Sequence, residues 1–186
     1  MAQSTRWIPG VLIGLLILLN VVWGYKLLVE RGKMESRLHR LEDREEIRGL
    51  LMNYGQCLDR RDFVAFSKLF SERQGEWIGG LGRAQSAPAI RKLMEDTIGK
   101  NSSQANPANR HVFTNEMINV HGDQAQALTK WMFLVQATGG MPQPVYLGHY
   151  EDSFIRENGR WKFLRRVVYG DIPPDNPGSP QQGSQH

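Results

Sequence analysis

The stretch WIPGVLIGLLILLNVVWGY, Trp7 to Tyr25, has no charged residue and carries aromatic rings at both ends, at Trp7, Trp23 and Tyr25. A bilayer core of about 30 Å is crossed by roughly 20 apolar residues in a helix, and Trp and Tyr settle at the headgroup level. The pattern therefore predicts a transmembrane helix over 7–29 behind a leader of residues 1–6. Pro9 falls in the first turn, where its missing N–H costs little, and Asn20 lies toward the far interface. The competing reading is a cleaved signal peptide. Val22-Trp23-Gly24 is a poor cleavage site for one, and Leu27, Leu28 and Val29 prolong the apolar run past it.

From Glu30 to Leu58 apolar residues recur at helical spacing, at Met34, Leu38 and Leu41 and then at Ile47, Leu50, Leu51, Tyr54 and Leu58. Residues 30–44 read as a charged helical stalk that runs into a domain over 45–170. The heptad-like run Met34, Leu38, Leu41 is too short to define a coiled coil, and the stalk reads as a solvated connector. Asp62 precedes the apolar-periodic FVAFSKLF and is expected to cap it. Gly75 to Gly82 reads as a first strand and turn, and Ala87 to Ile98 as a short helix with Pro88 in its first turn. After the polar loop Lys100–Arg110 come four strand-like runs, near His111–Val120, Ala125–Ala137, Val145–Arg156 and Arg160–Tyr169. Short turns separate them, the last containing Asn158-Gly159, a strong hairpin signal. Four runs so joined predict an antiparallel meander and hence an α+β fold. Residues 171–186 have almost nothing to bury and are expected to be a disordered tail.

At 186 residues with 40% hydrophobic content, the chain has room for one globular domain plus appendages. Its single cysteine, Cys57, excludes an intramolecular disulfide and reads as small core filler on an apolar-periodic helix. The net charge of +4 does not imply nucleic-acid binding, because basic and acidic residues interleave through the globular part. The basic excess sits just after the apolar run, at Lys26, Arg31, Lys33, Arg37 and Arg40, where it suits lipid headgroups. Only Arg6 flanks the other side, so the positive-inside rule favours a cytoplasmic globular domain, with the opposite side remaining open.

Tyr54, Asp59 and His111 supply a weak acid, a carboxylate and an imidazole, a set that moves protons without a metal. His111 begins a strand-like run in which Phe113, Asn115 and Met117 share its parity; the alternative is a histidine that satisfies a loop carbonyl. Asp59 follows Tyr54 by five residues, about 140° around a helix, so the two line one pocket only if its wall wraps the helix end. Asp59 has the alternative of pairing with Arg60, Arg61 or a sheet arginine, and Tyr54 that of a core aromatic. His149 is opposite in parity to Tyr150, Asp152 and Phe154, so it is either a second pocket imidazole or faces outward; Arg165 and Arg166 necessarily point to opposite faces, one toward a ligand anion or Asp152 and the other toward solvent. His111, His149 and Asp59 show no short ligand spacing, so neither a metal nor a cofactor is expected.

DREEIRGLLMNYGQCLDRRDFVAFSKLF, then HVFTN, then GHYEDSFIRENGRWKFLRR resemble, in this order and spacing, the SnoaL-like branch of the nuclear transport factor 2-like superfamily over roughly Leu41 to Val168. The resemblance implies a cone in which a curved antiparallel sheet wraps a long N-terminal helix around an apolar pocket. It places Asp59 and His111 on the Asp–His pair of scytalone dehydratase and bile-acid dehydratase, and Tyr54 on the pocket tyrosine of the latter and of ketosteroid isomerases. The isomerases' aspartate base has no counterpart, since Ile78 occupies its place beside Glu76 and Trp77. The implied function is a membrane-tethered dehydratase or isomerase using Asp59, His111 and Tyr54, with Trp77, Asn115, Met117, His149 and Arg165 around a small apolar oxygenated ring compound. The alternative is a non-catalytic ligand-binding or dimerisation module at the membrane. The expected partners are that ligand, the bilayer and a second copy of the chain. The uncharged run makes a direct prediction: the full chain stays with the membrane pellet through alkaline carbonate extraction, and its release into the supernatant would refute the anchor.

Overall fold

The structure, a computed structural model, describes residues 8–100, 106 and 108–174. The leader, Trp7, most of the Lys100–Arg110 loop and residues 175–186 of the expected tail lie outside the described residues. The chain divides into two compact units, Met1–Glu42 and Asp43–His186. One helix, α1 (Ile8–Arg60), supplies the described part of the first unit and opens the second. Among the described residues it is the one helix long and apolar enough, by length and composition, to cross a membrane. Its side chains from Leu12 through Leu41 are exposed wherever they are large and apolar.

In the second unit α1 continues to Arg60 and is followed by α2 (Phe63–Ser67), β1 (Glu76–Gly79), β2 (Gly82–Gln85) and α3 (Ala87–Met94). Then come β3 (Arg110–His121), β4 (Gln124–Gln136), β5 (Pro142–Glu157) and β6 (Arg160–Ile172). The expected first strand is thus a two-strand hairpin, and the helix expected over Ala87–Ile98 changes to a single π-helical turn at Glu95–Gly99. Asp62 caps α2 as its type predicts, its carboxylate accepting from the Ala65 N–H at 2.9 Å. α1 stops in a Schellman arrangement: the Asp62 N–H reaches the Cys57 carbonyl at 2.9 Å and the Arg61 N–H the Leu58 carbonyl at 3.0 Å. Arg61 takes the left-handed position, φ 56°, that glycine usually fills.

The strands form one six-stranded sheet in the order β2-β1-β6-β5-β4-β3. The meander is antiparallel as the pattern predicts, but β1 joins β6 in parallel, so the sheet is mixed. That pairing is invisible to hairpin logic because it joins segments far apart in sequence. The β5–β6 turn carries Asn158 at φ 51° and Gly159 at φ 76°, the pair of positive angles a type I′ turn requires. Register breaks in β3, β4, β5 and β6 are the bulges by which a sheet bends around a helix.

Ile47, Leu50, Leu51, Tyr54 and Leu58 bury one face of α1 against Phe66, Phe70, Phe154, Trp161 and Phe163. The hairpin end of β5–β6 clamps this helix: Trp161 donates its backbone N–H to Glu46 at 2.9 Å and its indole N–H to Asp43 at 3.2 Å. Arg156 pairs with Asp43 and lies 4.6 Å over the Trp161 ring. Deeper in, Arg166 holds Asp152 through two bonds of 2.7 Å, both side chains fully buried. At Gly55 the helix approaches β3 so closely that a Cβ would stand 2.7 Å from the Phe113 ring.

Two stability outcomes follow. Asp152→Ala leaves a buried guanidinium uncompensated and is expected to cost about 3–5 kcal/mol, read as a lowered urea midpoint of the detergent-solubilised chain. Gly55→Ala gains about 1 kcal/mol of helix propensity but forces the Phe113 ring aside at about 1–3 kcal/mol. Net destabilisation is therefore expected, and a raised melting temperature would show that the ring yields freely.

Candidate active site

Asp59 is the last regular residue of α1, just before its Schellman stop, and His111 is the second residue of β3. Helix end and strand start meet there. His111 Nδ1 lies 2.7 Å from Asp59 Oδ1. The backbone N–H of His111 also donates to the same carboxylate, at 3.1 and 3.2 Å to its two oxygens. Asp59 thus binds the residue twice, through ring and main chain, which fixes the ring orientation. Both side chains are more than four-fifths buried. With Nδ1–H donated to the carboxylate, Nε2 carries the lone pair and is the nitrogen left to accept a proton. The Phe133 ring packs on the imidazole at 4.7 Å and Phe113 follows at 6.3 Å. These two rings thin out the water around it.

Tyr54 points elsewhere, as the 140° offset demands. It is buried among Phe66, Phe70, Tyr150 and Phe163, and its hydroxyl accepts from Trp77 Nε1 at 2.9 Å. The structure therefore brings Tyr54 and Trp77 together, and Asp59 and His111 together, as two groups. Tyr150 stands between them: its ring is 5.7 Å from Tyr54, 5.6 Å from Phe113 and stacked on Trp131 at 5.6 Å. Burial raises both phenols above their usual range, Tyr150 by far the more, while the Arg166 charge opposes the rise in each. Both stay protonated and able to donate.

Arg166 closes the interior on the other side. Its guanidinium lies 3.9 Å over the Tyr54 ring, 4.1 Å over Tyr150 and 4.3 Å over Phe163. Burial on its own lowers its pKa, but the charge and hydrogen bonds of Asp152 outweigh that and hold the guanidinium protonated. Its Nη1 is buried and has no hydrogen-bond partner, and the same holds for Trp131 Nε1 and Thr129 Oγ1. Register places Thr129 opposite Tyr150 and Trp131 opposite Gly148. Unsatisfied polar atoms in a buried interior are uncommon.

Four residues expected around a ligand lie elsewhere. Asn115 and Met117 share the parity of His111 on paper, yet the bulge between Thr114 and Met117, with Asn115 at φ 55°, inserts one residue and reverses the alternation. Both are exposed, and Ile118 enters the core instead. Glu116 turns back to Arg48 at 2.8 Å. His149 is on the outer side, stacked on Tyr169 at 4.6 Å and bonded to Asp171 at 2.8 Å. Arg165 is also outside, held by Glu76 at 3.0 Å, and its neighbour Arg166 is the inner member of the pair. Arg166 is the member of the arginine pair that meets Asp152, as the alternation allowed for one of the two; Tyr150 and Trp131 are the interior residues the sequence did not single out. Cys57 is half-buried, and burial raises its thiol above the usual range. Among the described residues no three His, Cys, Asp or Glu side chains gather as a metal site would need.

The uncharacterized protein Rv2910c of Mycobacterium tuberculosis is 26% identical to this chain over 129 residues, 68% of this chain and 84% of that protein. Among solved structures, an NTF2-like protein with a cystatin-like fold from Novosphingobium aromaticivorans is 29% identical and superposes with a TM-score of 0.63, covering 72% of this chain and 84% of that one. A protein of the same organism, provisionally named a scytalone dehydratase, shares the fold at 21% identity and a TM-score of 0.60, over 78% of this chain and 97% of that one. The SnoaL-like domain model matches residues 39–167. That span takes in α1 from the stalk onward, the Asp59–His111 pair and the sheet through the inner face of β6, and on it the chain belongs to the SnoaL-like domain family.

Proposed function

We propose that the protein is a lyase of the dehydratase type, acting on a small, largely apolar, oxygenated ring compound beside a membrane. The observation that carries this reading is the 2.7 Å contact between His111 Nδ1 and the Asp59 carboxylate, with Nε2 left as base. His111 Nε2 removes the proton alpha to a carbonyl, and the C–H electrons move to give an enolate. When the enolate collapses, the β-hydroxyl leaves with that proton as water and a C=C bond remains. Asp59 holds the tautomer and compensates the imidazolium. Tyr150 and Tyr54, kept protonated by burial, are the donors on hand for the enolate oxygen, and the unpartnered Arg166 Nη1 adds positive charge on the same side. Likeness to the protein provisionally named a scytalone dehydratase agrees with this class of chemistry.

The exposed apolar segment of α1 supports the tether. Apolar ring compounds partition into bilayers, so a domain held at that surface meets them more often. The basic residues after the segment favour the cytoplasmic side. A second reading, a non-catalytic ligand-binding or interaction module, draws on the dense stacking of Tyr54, Phe66, Phe70 and Phe163, which leaves the interior well filled.

One experiment separates them. The wild-type chain is assayed on cyclic β-hydroxy ketones by the absorbance of the conjugated product, beside Asp59→Asn. The amide still accepts a hydrogen bond but cannot balance the imidazolium charge, so turnover is expected to fall by roughly 10²–10⁴-fold with the melting temperature nearly unchanged. Wild-type binding without turnover leaves the non-catalytic module, and an Asp59→Asn variant as fast as wild type removes the Asp59–His111 pair from the mechanism.

A further inference from the structure

α1 is unbroken from Ile8 to Arg60, so the spacing of side chains in its first unit can be followed from the apolar run into the charged stalk without a change of frame. Leu27, Met34, Leu38 and Leu41 are separated by seven, four and three residues. Counting back in the same frame reaches Gly24 and then Asn20. A repeat of about 3.5 residues drifts slowly around a helix of 3.6 residues per turn, and it stays against a neighbour only if two helices wind around each other with a left hand. All four apolar side chains are more than half exposed. The charges around them are largely occupied within the helix: Lys33 holds Glu30 at 2.8 Å, His39 meets Glu42 at 3.2 Å, and Arg40 reaches Ser36.

We propose that this stripe is a self-association surface, on which two copies of the chain wind into a short parallel coiled coil over Leu27–Leu41, with Gly24 and Asn20 carrying the seam into the apolar run. Charge selects a second copy as the occupant. With Leu38 and Leu41 in the seam, Arg37 and Glu42 take flanking positions that face each other across parallel helices, and two-fold symmetry makes the pair twice. Arg37 has no ion pair within its own chain among the described residues, and Glu42 shares its carboxylate with His39, 3.2 Å away in its own chain.

Asn20 points the same way. It is the polar side chain inside an uncharged run, it lies on the seam, and within one chain it can only turn back to the Leu16 carbonyl at 2.8 Å. A second helix offers it an amide partner in place of that carbonyl. Two features oppose the pairing and set its strength. Glu30 and Glu35 face each other one heptad earlier, and Arg31 occupies a seam position from which its long stem must lift the guanidinium clear. The seam is accordingly weak between free chains and is helped by confinement of both copies to one membrane surface. That confinement, and the parallel orientation it gives, rest on the tethered reading above; the seam residues do not.

The test uses the full chain in mild detergent, in a Cys57→Ala background, with single cysteines placed on the stripe by Met34→Cys, Leu38→Cys and Leu41→Cys. Ser36→Cys and Arg40→Cys supply the far side. Oxidation with copper phenanthroline is expected to give severalfold more disulfide-linked dimer from the three stripe positions than from the two others. In the Leu38→Cys chain, Arg37→Glu is expected to reduce the dimer severalfold and a further Glu42→Arg to restore it. Equal cross-linking at all five positions, or failure of the charge swap to restore, overturns the proposal. Carbonate release of the chain from membranes would instead defeat the tethered reading and leave the detergent pattern unaffected.

Discussion

Arg166 is enclosed by protein, and almost everything else in the second unit is arranged to keep its charge there. A lone guanidinium in an apolar interior is prohibitively unfavourable. Two bonds to Asp152 on the neighbouring strand supply the compensating charge, and the rings of Tyr54, Tyr150 and Phe163 offer their faces to the cation. Those contacts tie β5, β6 and α1 together from the inside. They also fix the orientation of Tyr54, whose hydroxyl then meets Trp77 on β1, the strand that joins β6 in parallel. The ion pair is thus a registry device, in that any slip of β5 on β6 would separate Asp152 from Arg166.

The Asp59–His111 pair depends on a different constraint, the place where α1 stops. A helix one residue longer would carry Asp59 into a regular turn and leave Arg61 without its left-handed position. The Schellman stop instead leaves the carboxylate at the helix end, facing the first residues of β3. Gly55, one turn earlier, allows the close approach that brings Phe113 and His111 to the helix. Rigid main-chain bonding of His111 to the same carboxylate makes the pair a fixed element rather than a surface ion pair, whose worth would be small.

Several elements were legible in the chain before any fold was known. The apolar stripe from Ile47 to Leu58, the Asp62 cap, the Asn158-Gly159 turn and the four-strand meander all follow from local chemistry: period, capping oxygen, positive φ. The pairing of Asp59 with His111 was legible only through the resemblance, because no spacing rule brings together residues fifty-two positions apart. Asn115 and Met117 were misplaced for a physical reason. Alternation along β3 holds only until the bulge, and a single inserted residue, forced by the way this strand bends over the helix, turns every later side chain to the other face.

The sequence by itself determined what several segments can do alone: the apolar face of α1, the Asp62 cap, the Asn158-Gly159 turn, the order of the meander strands, and which stretch is apolar enough for a bilayer. Only the tertiary structure decided which of two adjacent arginines is buried, that the Tyr54 hydroxyl meets Trp77 while Tyr150 packs between Tyr54 and Phe113, and that β1 lies parallel to β6. Those outcomes depend on which surfaces come to face one another, and that is set by the total free energy of packing rather than by any residue's own preference.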